Sequence, residues 1–273
     1  FLMRLNLRVI IGLVIAAVTL LGYFFNTSTN PVTGEKQHVN MSASQEIALG
    51  VQAAPEMAQQ YGGESRDPRA TAAVQQVGQQ IVKANGLDQK TQYQYRFHLL
   101  ADDQTINAFA LPGGQVFITQ GLLKNLTSEG ELAGVLAHEI GHVVGRHSAE
   151  QVAQSQLTQG LTGAAAIASY DPNSPGSSIA RAAAAAMIAK LVSLRFSRND
   201  ELEADKFAVK FTPSAGYNPA SMISVMQMLD KQGGSGRQPE FMSTHPNPGN
   251  RIEELQNDIK QVYPQGVPSG LKQ

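Results

Sequence analysis

The stretch Ser128-Glu129-Gly130-Glu131-Leu132-Ala133-Gly134-Val135-Leu136-Ala137-His138-Glu139-Ile140-Gly141-His142-Val143 decides how the chain is read. Ser128 followed three residues later by Glu131 has the pattern of a capping box, and Leu132, Val135, Leu136, Ile140 and Val143 recur at helical spacing. Residues of a helix turn by ~100°, so His138 and His142 lie ~40° apart on one face, one turn of rise from each other. Two imidazoles so placed can meet one metal ion. Zinc takes histidine nitrogen at ~2.0 to 2.1 Å, and a catalytic zinc keeps three protein ligands with a fourth position open to water. Glu139 falls beside that open position. Its carboxylate can accept a proton from a metal-polarised water and return it to a leaving amine, which hydrolyses a peptide bond without a covalent intermediate. Two histidines and a glutamate in so apolar a helix would be costly without a metal or partners.

A third ligand has to come from elsewhere, and Ser197-Arg198-Asn199-Asp200-Glu201-Leu202-Glu203-Ala204-Asp205 offers four carboxylates. Glu201 and Asp205 are one turn apart on a common face, so one can bind the metal while the other accepts the free ring N–H of a ligand histidine. We assign Glu201 to the metal and Asp205 to the ring; the bland alternative is an acidic helix face. Glu203, ~200° from Glu201, faces the other way. A different zinc pattern, HExxHxxGxxH, matches at Gly145 but fails at Ser148, where it needs histidine. His147 is one residue early, and reads as a cation favoured at a helix C-terminus.

Working outward, Ser42 with Gln45 suggests a capped helix reaching Gln60, and Val74, Val77 and Ile81 mark a second helix ending near Gly86. Tyr93, Tyr95, Phe97 and Leu99 alternate with polar residues at strand period. Residues 106–111 and 115–119 flank Pro112-Gly113-Gly114, whose glycines permit the positive φ of a turn between strands. Beyond the central helix, residues 151–194 are rich in Ala, Gln, Ser and Gly, with the tract Ala182 to Ala186 and a break at residues 171–176. Two Ala-rich helical arms around a turn are expected there, with a lid over a cleft as the sharper reading. Further helices are expected from Arg198 to Phe211, after Pro219, and from Asn250 with Glu253 as its cap. A Pro/Gly-rich tail, residues 264–273, is expected to be flexible.

The expected architecture is an α+β body, mainly helical, with a small sheet beside the zinc helix and one N-terminal transmembrane helix. Residues 9–25 carry no charge and Arg4 and Arg8 precede them. That is the short end of the ~17 to 25 residues a spanning helix needs, and the charge bias places residues 1–8 in the cytoplasm. No small-x-small cleavage site follows, so an uncleaved anchor is preferred to a signal peptide. Residues 26–41 read as a linker and residues 42–263 as one catalytic domain, which 273 residues with 42% hydrophobic composition can support. A net charge of −1 leaves no basic field for nucleic acid, and the absence of cysteine excludes disulfides and thiolate ligands. Nothing in the sequence specifies a homo-oligomer or a membrane-protein partner.

HEIGH followed by SRNDELEAD, together with NAFALPGGQVFITQGLL at residues 107–123 and STHPNPGNRI at residues 243–252, resembles the gluzincin endopeptidases of the forty-eighth metallopeptidase family, which includes HtpX-like, Oma-like and CAAX prenyl proteases. The resemblance spans most of residues 42–263. It implies one Zn2+ held by His138, His142 and the first Glu of ExxAD, Glu201, in agreement with the geometric choice. It also implies that Asn107 and Ala108 belong to an edge strand that pairs with extended polypeptide substrate. By the same resemblance His245 either stabilises the oxyanion or binds zinc at rest and blocks water, and Arg251 reaches the substrate side; either residue can instead be structural. A single expected span sets the chain apart from multi-span relatives and argues against prenylated substrates. The resulting expectation is a zinc endopeptidase acting on misfolded or unassembled envelope proteins, anchored in a bacterial inner membrane with its body facing the periplasm or cell exterior. A membrane-tethered, catalytically silent client-binding protein is the rival, disfavoured because a structural zinc site needs four closed ligands and no base such as Glu139.

Overall fold

The computed structural model describes residues 7–39, 41–168, 195–234, 238–246 and 249–273. Its contacts divide into residues 1–41 with 149–192, and residues 42–148 with 193–273. In the smaller unit, α1 (Leu7–Phe25) carries no charge after Arg8 and exposes Leu13, Val14, Val18, Leu21, Phe24 and Phe25. A two-residue antiparallel ribbon follows, β1 (Ser28–Thr29) against β2 (Lys36–Gln37), its turn held by Asn30, whose Oδ1 accepts from the backbone N–H of Val32 and Thr33. Among the described residues no helix is long and apolar enough to cross a membrane, so the span expected at residues 9–25 is not established. The expected break at residues 171–176 and the tract Ala182 to Ala186 lie outside the described residues.

The larger unit is α+β and mainly helical. It comprises α2 (Ala43–Gln60), α3 (Pro68–Ala84), α4 (Leu87–Thr91), β3 (Arg96–Leu100), β4 (Ala108–Leu111), β5 (Gln115–Thr119), α5 (Gln120–Leu123) and α6 (Glu129–Gly145). α7 (His147–Ala168) leaves this unit after Ser148, and the chain returns with α8 (Arg198–Ser214), α9 (Ser221–Gly233), α10 (Glu240–Thr244) and α11 (Arg251–Val262). The sheet has the order β3-β5-β4: β5 runs parallel to β3, with Phe97 opposite Val116, and antiparallel to β4, with Phe109 opposite Phe117. Both glycines of the turn between β4 and β5 have positive φ. Parallel pairing of β3 with β5 leaves β4 at the edge.

Apart from Glu129, Glu131 and the site residues His138, Glu139 and His142, α6 is made of apolar residues and glycines all round, so it is stable only when surrounded by other elements. It packs against α3, α8, α9, β4 and β5, and every residue from Leu132 to Gly145 is buried. Ser128 caps it by accepting from the Glu131 N–H, while Glu131 turns back to Thr127. Its contact with α8 is close because Gly141 has no side chain: a Cβ there would fall 2.9 Å from the Ala204 carbonyl oxygen and 3.0 Å from the Ala204 Cα.

Two local expectations are corrected. α11 is not capped by Glu253; the Asn250 amide instead donates to Glu254 Oε1 at 3.0 Å. The tail is tied at its tip rather than free, because the Lys272 backbone pairs with Gly216 and Asn218 and its ammonium reaches Glu129 at 3.1 Å.

Overpacking a tight helix crossing costs about 1–3 kcal/mol, and at this crossing it also displaces the helix that carries Glu201. Gly141→Ala should therefore lose stability of that order in denaturant unfolding and weaken metal binding in the same protein. Wild-type stability with full metal uptake would contradict the close-contact reading.

Candidate metal centre and active site

α6 and α8 supply the residues singled out from their spacing, and the segment after α10 adds one more. His138, His142, Glu201 and His245 each offer one donor atom, all four within 4.8 Å of one another. His138 Nε2 is 3.1 Å from His142 Nε2 and 3.5 Å from Glu201 Oε2; His142 Nε2 is 3.4 Å from Glu201 Oε1. His245 Nδ1 lies 2.9 Å from Glu201 Oε1 and 3.4 Å from His138 Nε2. Four donors at tetrahedral corners ~2.0 to 2.1 Å from a zinc ion stand about 3.3 Å apart, so these separations fit one such ion. Three nitrogens and a carboxylate are also a donor set that suits zinc.

Each ligand is supported from behind. His138 Nδ1 is 2.9 Å from Asp205 Oδ1, an ion-pair separation without the alignment of a hydrogen bond. Asp205 in turn receives both arms of Arg251, Nε to Oδ2 at 2.8 Å and Nη2 to Oδ1 at 2.7 Å, while Arg251 Nη1 stands 2.8 Å from Glu201 Oε2. Arg251 is fully buried, clamping α8 to the start of α11 behind the donors. Phe196 stacks on His142 with ring centroids 3.9 Å apart, and Phe241 stacks on His245 at 4.4 Å, which fixes both ring planes.

The electrostatics follow from burial of opposite charges together. Burial opposes the charge on Glu201, but the rings of His245, His138 and His142 overcome it and hold the carboxyl well below the ordinary range. Burial likewise opposes Asp205, and Arg251 and His138 outweigh it to lower its pKa. On His138 burial works against the charged ring, yet Asp205 and Glu201 lift it to about 9, whereas burial drives His142 well below its usual value. Metal binding at such a site displaces a proton. Glu139 is different: both carboxylate oxygens are buried without a hydrogen-bond partner, and burial pushes its pKa up. Its Oε1 is 3.6 Å from His245 Nε2. A buried, unpartnered carboxylate beside a donor cluster is costly unless it has a proton to handle.

Asn107 sits just before the edge strand β4, and Ala108 begins it. Both are buried here, and the Asn107 amide donates to Tyr61 Oη at 3.0 Å and to Glu240 Oε1 at 3.1 Å, linking the strand to α10 and so to His245. His147 is not a helix C-terminal cation. It opens α7, with its Nδ1 2.8 Å from His142 Nδ1 and its Nε2 3.1 Å from Glu203 Oε2. Phe196 and Phe241 had no signal in the sequence beyond being aromatic residues near the motifs.

A model of the family described as Peptidase family M48 matches residues 68–259, more than half of the chain. The chain is similar to the beta-barrel assembly-enhancing protease of Escherichia coli (strain K12), 30% identical over 251 residues, which cover 89% of this chain and 50% of that protein. The protein of the same name from Yersinia pestis is 31% identical over 237 residues, covering 86% and 48%. The mitochondrial metalloendopeptidase OMA1 of Schizosaccharomyces pombe is 30% identical over 238 residues, covering 86% and 67%. The chain thus spans about half the length of the two bacterial relatives. With His138, Glu139, His142 and Glu201 all inside the matched span, the chain belongs to peptidase family M48.

Proposed function

We propose that the chain is a zinc-dependent endopeptidase that cleaves unfolded or unassembled polypeptides of a bacterial envelope. The observation that carries this reading is Glu139: sealed from solvent, without a hydrogen-bond partner, and one residue from a ligand histidine. Bound zinc supplies Lewis acidity, which brings the pKa of a water down to ~7 and polarises a carbonyl. The chain's own residues do the rest. His138, His142 and Glu201 hold the ion, and Asp205 with Arg251 keeps His138 and Glu201 oriented. Glu139 takes the proton of the attacking water on a carboxylate oxygen and delivers it to the departing nitrogen; its raised pKa suits a group that must hold that proton between the two transfers. An extended peptide added to the edge strand β4 near Asn107 and Ala108 would be gripped through its backbone, with little demand on its sequence. The names of the bacterial relatives favour substrates among unassembled envelope proteins.

His245 is read here as a resting-state ligand. Its Nδ1, 2.9 Å from Glu201 Oε1 and 3.4 Å from His138 Nε2, would hold the ion together with the other three donors and so compete with water, and the Asn107–Glu240–Tyr61 contacts tie its segment to the strand that substrate would use. Arrival of a peptide at that strand would loosen the tie.

Membrane attachment is the further part of this reading. A 19-residue helix rises about 28 Å, just under the ~30 Å of a hydrocarbon core. The exposed apolar side chains of α1 support attachment to lipid, with the zinc domain on the outer side.

Glu139→Gln should lower cleavage of unfolded casein by about 10²- to 10⁴-fold while zinc content stays at the wild-type level, and chelation should abolish wild-type cleavage. Activity that survives both treatments would overturn the mechanism. Replacing His245 by Ala should raise casein cleavage; a drop in turnover with zinc retained would instead assign it to the oxyanion. Carbonate extraction of cell membranes should leave the chain in the pellet, and release into the supernatant would rule out an anchor.

A further inference from the structure

Resting on the reading of the site as a zinc centre, we propose that His147 and Glu203 act as a positioning pair that fixes the tautomer and ring orientation of His142. His142 turns its Nε2 to the donor cluster, so its Nδ1 points away and must find a partner in a region closed to water. That partner is His147 Nδ1 at 2.8 Å. With a metal on His142 Nε2, the His142 proton is on Nδ1 and is donated to His147 Nδ1; His147 then carries its own proton on Nε2, which it donates to Glu203 Oε2 at 3.1 Å. The three groups form one hydrogen-bond chain with a single consistent polarity. His138 has the carboxylate of Asp205 directly behind its ring, 2.9 Å from Nδ1, whereas the carboxylate behind His142 is reached through the intervening ring of His147.

Three further features show that the local backbone is built for this contact. Arg146 adopts φ 59, a left-handed conformation uncommon for a residue with a side chain, at the junction between the end of α6 and His147. Its guanidinium is anchored by Glu46, with Nε to Oε1 at 3.0 Å, and Glu46 also accepts from Tyr93 Oη at 2.7 Å. Gly145 leaves room for the ring: a Cβ there would lie 2.7 Å from His147 Cε1. His147 is not a fifth ligand, because its Nδ1 is on the side of the His142 ring opposite the cluster, and it is not among the four donors that converge.

The test compares zinc affinity, by competition with a chromophoric chelator, and the visible absorption of Co(II)-substituted protein for the full chain and three variants. His147→Ala should weaken zinc binding by about 10- to 100-fold and shift the Co(II) bands. In His147→Asn the amide oxygen stands where Nδ1 stood and should restore most of the affinity and the wild-type Co(II) spectrum. Glu203→Ala, at a partly exposed position, should fall between. Wild-type affinity and spectrum in His147→Ala would overturn the proposal, as would His147→Asn being as impaired as His147→Ala. A wild-type chain that takes up no zinc would overturn the metalloprotease reading itself, which separates that failure from this one.

Discussion

The closeness of two helix backbones, at Gly141 of α6 and Ala204 of α8, is the constraint on which the metal centre depends. Only a residue without a Cβ lets the Ala204 carbonyl come so near. Given that contact, Glu201 three residues before Ala204 brings its carboxylate to the ligand face of α6, and Asp205 immediately after Ala204 reaches the outer nitrogen of His138. A Cβ at Gly141 would press on the backbone of Ala204, between the two acids. The glycine of HEIGH is therefore a packing element with a chemical consequence.

Bringing so many ionisable groups into one water-free space is tolerable only because they compensate one another. Glu201 and Asp205 bring negative charge; Arg251, fully buried, balances both from behind, and the histidines share protons or a metal from the front. Glu139 is the exception: neither of its oxygens has a hydrogen bond, and its nearest ring nitrogen, His245 Nε2, stands 3.6 Å away. The arrangement thus separates groups that hold position from one group kept unsatisfied, a division of labour that suits acid-base chemistry more than structural metal binding.

Residues close in helical register were the legible ones. His138 and His142 share a face by spacing alone, Glu201 and Asp205 do the same, and the period-2 pattern with its Pro-Gly-Gly turn announced a small sheet that the structure contains. The angle that set Glu203 apart from Glu201 was sound as helix geometry, but it gave no hint that His147 would reach across to it. That contact depends on Arg146 taking a positive φ, which a residue other than glycine rarely advertises, and on an ion pair with Glu46 a hundred positions earlier. The tail hides its pairing for a related reason: Pro and Gly near a terminus suggest fraying, while the pairing of Lys272 with Gly216 and Asn218 is long-range and leaves no local mark. For Arg251, expected on the substrate side or in a structural place, no local pattern announces its burial against Asp205 and Glu201.

The central claim is that α6 and α8 together hold one zinc ion. It is tested most directly by diffraction from crystals of the zinc-loaded chain, recorded above and below the zinc absorption edge. The account predicts a single anomalous peak about 2.0 to 2.2 Å from His138 Nε2, His142 Nε2 and a Glu201 oxygen, with His147 outside bonding distance. A peak ligated by His147 or Glu203, or one that lacks Glu201, would contradict it.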